Sequence, residues 1–403
     1  MKPNIPHTGS QNYFSLKGKV AEDVVQWLAE KTFLTDWCYK NPIMKDGREL
    51  CDLLVVFGEI VIIWQIKNLK LQEDNKYSTR EVEKNLRQLS GARRTLLKLK
   101  KPVELVNPRR GKESFNPDAV KEVYLISSLM GPGEEYFTPI EELKGLIIHV
   151  FDREFTQIAL NELDTIKDFI DYLRAKETFM KTTKTRITVM GGEKELLAFY
   201  LLNEKSFERL AKSDEVMITE GSWKHIQQKP EYKAKKQADT ISYEWDAIIN
   251  RAHEGTSPRY EIIAREMARL NRFERRYMAK SFTDAWIISH NNVKDLYRRL
   301  VKGEGVTYCF LFMNDPEPRD RRKQMLFAMC YVARGKFPEN KKVLGIATEK
   351  RIEPTCSYDF CLFDKPNWDT TDDEKVKELQ KVTGIFVNPE MQMVQANEYP
   401  SVK

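Results

Sequence analysis

Three polar side chains interrupt one of the most apolar stretches of the chain, "CDLLVVFGEIVIIWQIK", residues 51–67. Asp52 stands near its start, and Gln65 and Lys67 stand near its end. Gly58-Glu59 separates two apolar runs, and a two-residue loop with glycine first suits a type II′ hairpin turn. In that register Phe57 faces Ile60, Val56 faces Val61, and Asp52 faces Gln65. Opposed residues point to one face of a sheet, and Lys67, two residues beyond Gln65, shares that face. A carboxylate, an amide and an amine thus converge at the open end of an apolar hairpin. Carboxylate and amide oxygens are hard donors that suit Mg²⁺ or Mn²⁺, with the Ile66 carbonyl as a further oxygen. A lysine beside a bound ion can orient or deprotonate a water, while the ion stabilises phosphoryl charge. These are the parts of a metal-dependent phosphodiesterase. A plain Asp52–Lys67 ion pair at a sheet end fits the same spacing, so the hairpin alone leaves both readings open.

Periodicity outlines the elements that would hold these groups. Residues 18–31 read as a helix, with Val20, Val24, Trp27 and Leu28 at helical spacing. A short strand follows near "DWCYKN", then strands over 49–57 and 60–67. Residues 80–101 read as a helix with Val82, Leu86, Leu89 and Leu96 on its apolar face. Further strands start at Glu122 and Leu146, and "LNELDTIKDFIDYLRAK" reads as one amphipathic helix ending near Lys176. The polar connector "ETFMKTTKTR" puts a domain boundary near residue 180, giving domains 1–180 and 181–403. The second domain reads as charged and mostly helical from 219 to 302. Strand, helix, strand, strand then follow, which predicts a helix-rich α/β C-terminal domain ending in an aperiodic tail from Gly384.

Asp52, twelve intervening residues and then Gln65-Ile66-Lys67 resemble the PD-(D/E)XK nuclease signature. The form with glutamine for the second acid is similar to that of Mrr-like restriction endonucleases. "GKVAEDVVQWL" resembles the first core helix of that family, which often carries a glutamate, here Glu22. The resemblance covers roughly residues 15–130, and more weakly to about 178. It implies an N-terminal restriction endonuclease-like fold, a mixed central sheet flanked by helices in the order α-β-β-β-α-β. It also implies that Asp52, Gln65 and Glu22 bind Mg²⁺ or Mn²⁺ and that Lys67 positions the attacking water. Gln88 resembles a glutamine that some relatives direct into the active site from the next helix; a helix-surface glutamine is the other reading. Cys51 replaces the motif's proline at a variable position, and Gln65 leaves the site one negative charge short. The function implied is a nuclease acting on DNA in prokaryotic defence, with RNA as the other substrate. Duplex cleavage would favour a homodimer or larger assembly. A metal-free nucleic-acid-binding or scaffolding protein on the same fold is the rival.

The whole chain of 403 residues has a formal charge of only +6, but Arg80 to Glu113 holds eleven basic and four acidic residues, a net of +7. Arg80, Lys84, Arg87, Arg94, Lys98 and Lys101 share one helix face, and Arg109 and Arg110 in "NPRRGK" add a basic loop. Such a stripe would neutralise a phosphate backbone in a salt-dependent way, or it is a solvated face. Nothing resembles base-reading chemistry. Two further basic clusters, "FERRYMAK" and "EPRDRRKQ", read as solvated surface or as nucleic-acid contacts. The six cysteines form no CxxC pair and there are five histidines, a poor composition for structural zinc. The N-terminus lacks a signal-peptide core, and no apolar run approaches the roughly 18 residues of a membrane span. A cytoplasmic protein without a membrane partner is expected.

Overall fold

The computed structural model describes residues 10–44, 47–73, 77–98, 102–131, 140–182, 185–255, 257–291, 294–316, 318–350 and 356–400. The chain divides into two compact units, residues 1–229 and 230–403.

The first unit opens with helix α1 (Ser10–Phe33), strand β1 (Cys38–Lys40), strand β2 (Leu53–Phe57) and strand β3 (Ile60–Lys67). Helix α2 (Thr79–Leu97), the hairpin β4 (Val103–Asn107) and β5 (Gly111–Phe115), and strands β6 (Glu122–Leu129), β7 (Ile140–Leu143) and β8 (Leu146–Asp152) follow. The main sheet runs β1-β2-β3-β6-β8-β7. The β3–β6 and β6–β8 pairs are parallel and the other three antiparallel, so the sheet is mixed.

The β2–β3 hairpin has the register set by its turn. Phe57 pairs with Ile60, Val56 with Val61, and Leu53 with Trp64. Gly58 alone of the two loop residues takes a positive φ, 62°, as a type II′ turn requires. One face of the sheet, with Leu54, Val61, Ile63 and Leu125, packs on Val82, Leu86, Leu89 and Leu96 of α2. The other carries Trp64, which contacts Phe33 of α1, Phe151 and Phe169.

Three expectations are corrected in this unit. Helix α1 does not bury the stripe Val20, Val24 and Trp27; Val20 is 59% and Trp27 63% exposed. Its inner face is Ala21, Val25, Leu28 and Ala29, small residues beside the bulky rings under the sheet. The segment from Leu160 is not one helix. Helix α3 (Arg153–Glu162) stops and α4 (Ile166–Thr182) restarts, because Thr165 Oγ1 accepts the Asp168 N–H at 3.0 Å, a side-chain N-cap. The polar stretch after residue 176 is not a linker either. Helix α4 extends into it as far as Thr182, and β9 (Arg186–Val189), α5 (Glu193–Leu202), β10 (Glu215–Ile218) and α6 (Ser222–Gln228) belong to the same unit. A buried Lys176–Glu193 ion pair and the Tyr172–Tyr200 and Phe179–Phe207 ring contacts hold them there.

The second unit contains helices α7 (Pro230–Asp239), α8 (Ser242–His253), α9 (Pro258–Ala268) and α10 (Arg272–His290). Strands β11 (Leu296–Lys302) and β12 (Val306–Met313), helix α11 (Asp320–Lys336), strands β13 (Lys342–Thr348) and β14 (Asp359–Asp364), and helix α12 (Thr370–Thr383) complete it. Its sheet runs β11-β12-β13-β14 with only the central pair parallel. The arginines of its two basic clusters are largely internal. Arg275 donates to Asp246 at 2.6 Å and to the Ala268 and Leu270 carbonyls. Arg276 joins Asp239 to the Asn397 carbonyl of the tail. Arg322, fully buried, bridges Asp359 at 2.6 Å and Glu349 at 2.8 Å. Neither solvation nor nucleic acid explains these three side chains. Among the described residues no helix is long and apolar enough to cross a membrane.

Candidate active site

The open end of the hairpin is where the polar groups meet. Asp52 lies one residue before β2, held by the Asn41 N–H donating to its carbonyl at 3.0 Å. Its Oδ2 accepts the Gln65 amide at 2.7 Å and also the Ile66 backbone N–H. The Asp52–Gln65 juxtaposition expected from the turn is therefore present. On the neighbouring strand Gln65 is paired with Ser127, and Ser127 Oγ accepts Asn85 of α2 at 2.7 Å. That buried bond fixes the distance between α2 and the hairpin end.

Between them lies a cleft of about 380 Å³. One wall holds Arg48, Glu49, Asp52 and Gln65, and the other is the α2 face with Gln88, Gly91 and Thr95. Gln88, exposed on its helix, thus shares the cleft with the two hairpin residues. Glu22 and Lys67 do not line it. Lys67 continues the Gln65 face of β3 at the level of Leu129, and the charge of Glu22 on α1 acts on Asp52 and Glu49.

Glu49 is the residue that the sequence reading missed. It sits on the irregular arm between β1 and β2, paired with Ile43, and lines the same cleft as Asp52. Burial pushes Asp52 up to about 7; the Ile66 N–H opposes the rise, Glu22 and Glu49 add to it, and the Gln65 amide opposes it. Glu49 is raised as well, by burial first and then by Glu22. Three carboxylates therefore feel one another at this end of the sheet.

Asp52, Glu49 and the amide oxygen of Gln65, which line the cleft, are hard donors of the kind a divalent cation takes. A cation would also offset the burial and the lesser carboxylate repulsion that lift Asp52. Among the described residues, no three His, Cys, Asp or Glu side chains are gathered so as to hold a metal ion.

The basic stripe divides into two parts. Arg80, Lys84, Arg87, Arg94 and Lys98 are all exposed along α2, and Arg87 has only a solvent-exposed contact to Glu83 at 3.2 Å. Lys101 lies outside the described residues. Arg109 and Arg110 form the β4–β5 turn and are paired with acids of the same unit. Arg109 donates to the buried Asp36 at 2.8 Å, and Arg110 is bound to Glu113 and lies 3.5 Å from Asp36. Asn107 Oδ1 accepts both of their backbone N–H groups, at 2.9 and 3.0 Å. Charge counting found this loop but not its internal counter-charges. No family model, curated protein or solved structure matches the chain.

Proposed function

We propose that this chain is a Mg²⁺- or Mn²⁺-dependent nuclease of the PD-(D/E)XK type. The observation that carries the reading is the meeting of Asp52 and Gln65 at the hairpin's open end, in a cleft that Gln88 also lines. The order α1-β1-β2-β3-α2-β6, with the β4–β5 hairpin inserted, supports the restriction endonuclease-like arrangement.

In this reading Asp52, Gln65 and Glu22 hold the cation, which when bound supplies an acidified water and charge neutralisation at the phosphate. Lys67 orients that water from the next outward position on β3. Gln88 reaches the substrate from α2, and the exposed cations of α2 pair with the phosphates. DNA is the favoured substrate over RNA, the setting is defence against foreign DNA in a prokaryotic cytoplasm, and two or more copies would be needed to cut both strands.

A second reading, a nucleic-acid-binding protein on an inactive fold, draws on one observation. Asp52 Oδ2 already accepts two N–H donors, one of them from Gln65. Titration calorimetry with Mn²⁺ separates the two. The nuclease reading predicts binding that Asp52→Ala abolishes, and a wild-type protein that takes up no Mn²⁺ leaves the binding-only reading.

A further inference from the structure

Gly91 is a glycine that the fold does not explain. It lies in the interior of α2, where glycine is less favourable than alanine. Its φ is not in the left-handed range, and a Cβ built on it meets no atom within 4 Å. Other glycines have evident reasons: a Cβ at Gly131 would strike the Leu69 carbonyl oxygen at 2.1 Å, and one at Gly345 the Cys330 sulfur at 2.6 Å. Neither backbone nor neighbour requires glycine at 91. What its bareness leaves is space, and that space is the cleft of Asp52 and Gln65.

Its place on the helix is also particular. At about 100° per residue, Arg87, Arg94 and Lys98 fall on one arc of α2, and Thr95 and Gln88 on the next. Gly91 falls where the two arcs meet. Arg87 and Arg94 stand one turn to either side of it, both exposed. The Arg87–Glu83 contact is a surface pair of small worth, easily exchanged for a phosphate.

We propose that Gly91 is where the substrate strand crosses α2. A sugar–phosphate backbone, paired with Arg87 and Arg94, passes over the bare helix backbone at Gly91 and enters the cleft. Residue 91 thereby sets how bulky a strand is admitted. The proposal rests on the nuclease reading of the cleft and adds the path of its substrate.

The test uses the full chain, Gly91→Ala and Gly91→Leu. Thermal unfolding, Mn²⁺ calorimetry and fluorescence anisotropy in EDTA are measured, with labelled single-stranded DNA, its duplex and the equivalent RNA as probes. Both substitutions should raise the unfolding temperature, since a side chain there meets only open space, and both should leave Mn²⁺ uptake unchanged. Gly91→Leu should weaken binding of the preferred probe by about tenfold or more, whereas Gly91→Ala should bind nearly as the wild type. Wild-type affinity in Gly91→Leu overturns the crossing point and leaves the nuclease reading intact. Loss of Mn²⁺ uptake in Gly91→Leu also overturns it, because residue 91 would then act through the metal-binding groups. A wild-type chain that binds none of the probes overturns both readings.

Discussion

Asp52 carries the most information of any single residue. Its carboxyl ionises near 3.8 when free in an unfolded chain and near 7 in the folded one. Between those values the native state keeps a proton that the unfolded state has released. Stability therefore falls as pH rises through that window and levels off above it. The difference amounts to about 4 kcal/mol at most. In EDTA, Asp52→Asn should flatten this pH dependence and unfold at higher urea than wild type above pH 7. Unchanged pH profiles in the two proteins would show that the carboxyl is not held proton-bound. Gln65→Glu makes the converse test. It places a further carboxylate beside Asp52, so the metal-free protein should lose stability while Mn²⁺ affinity rises by about tenfold, or ~1.4 kcal/mol. Equal or weaker Mn²⁺ binding would remove Gln65 from the ligand set. That Asp52 meets Gln65 was legible because Gly58-Glu59 fixes a register, and a period of two fixes the faces. Glu49 was not legible, because a strand over 49–57 puts it on the face opposite Asp52, whereas β2 begins only at Leu53 and Glu49 lies on the arm before it.

At the scale of elements, the buried charges show what binds neighbouring segments. Lys176 of α4 is fully buried and pairs with Glu193 of α5, which also accepts the Tyr172 hydroxyl at 2.9 Å. Removing one partner strands the other charge in the core, at a cost of about 3–5 kcal/mol. Lys176→Met should lower urea stability by that amount, and Lys176→Met with Glu193→Leu should recover most of it. A double variant as unstable as the sum of the singles would contradict the pairing. The same logic explains which element readings failed. The α2 stripe Val82, Leu86, Leu89 and Leu96 was legible because all four residues are buried against the sheet. The α1 stripe was misread because Val20, Val24 and Trp27 are as apolar as the face that is actually buried, and sequence spacing cannot say which side meets the rings of Trp64 and Phe169. Arg275 and Arg322 resembled solvated charge because their partners Asp246 and Asp359 are distant in sequence.

For the whole molecule, the division at residues 229 and 230 has a direct consequence. A fragment of residues 1–229 should unfold in a single cooperative transition by calorimetry. A fragment ending at residue 180 should not, since it lacks Glu193 and the aromatic partners Tyr200 and Phe207. Equally cooperative unfolding of the shorter piece would return the boundary to the polar stretch at 177–186. That boundary was not legible because "ETFMKTTKTR" is polar on its outer side while Phe179 turns inward.

Whether the hairpin end cuts phosphodiester bonds, as proposed, is read from a cleavage assay with Mg²⁺ or Mn²⁺. Supercoiled plasmid, linear duplex, single-stranded DNA and RNA are offered to wild type and to Lys67→Ala. Wild type should cleave at least one substrate, and that cleavage should be lost in EDTA and in Lys67→Ala. Equal cleavage by both proteins would contradict it, as would wild-type protein that binds Mn²⁺ and nucleic acid but cuts none of the four.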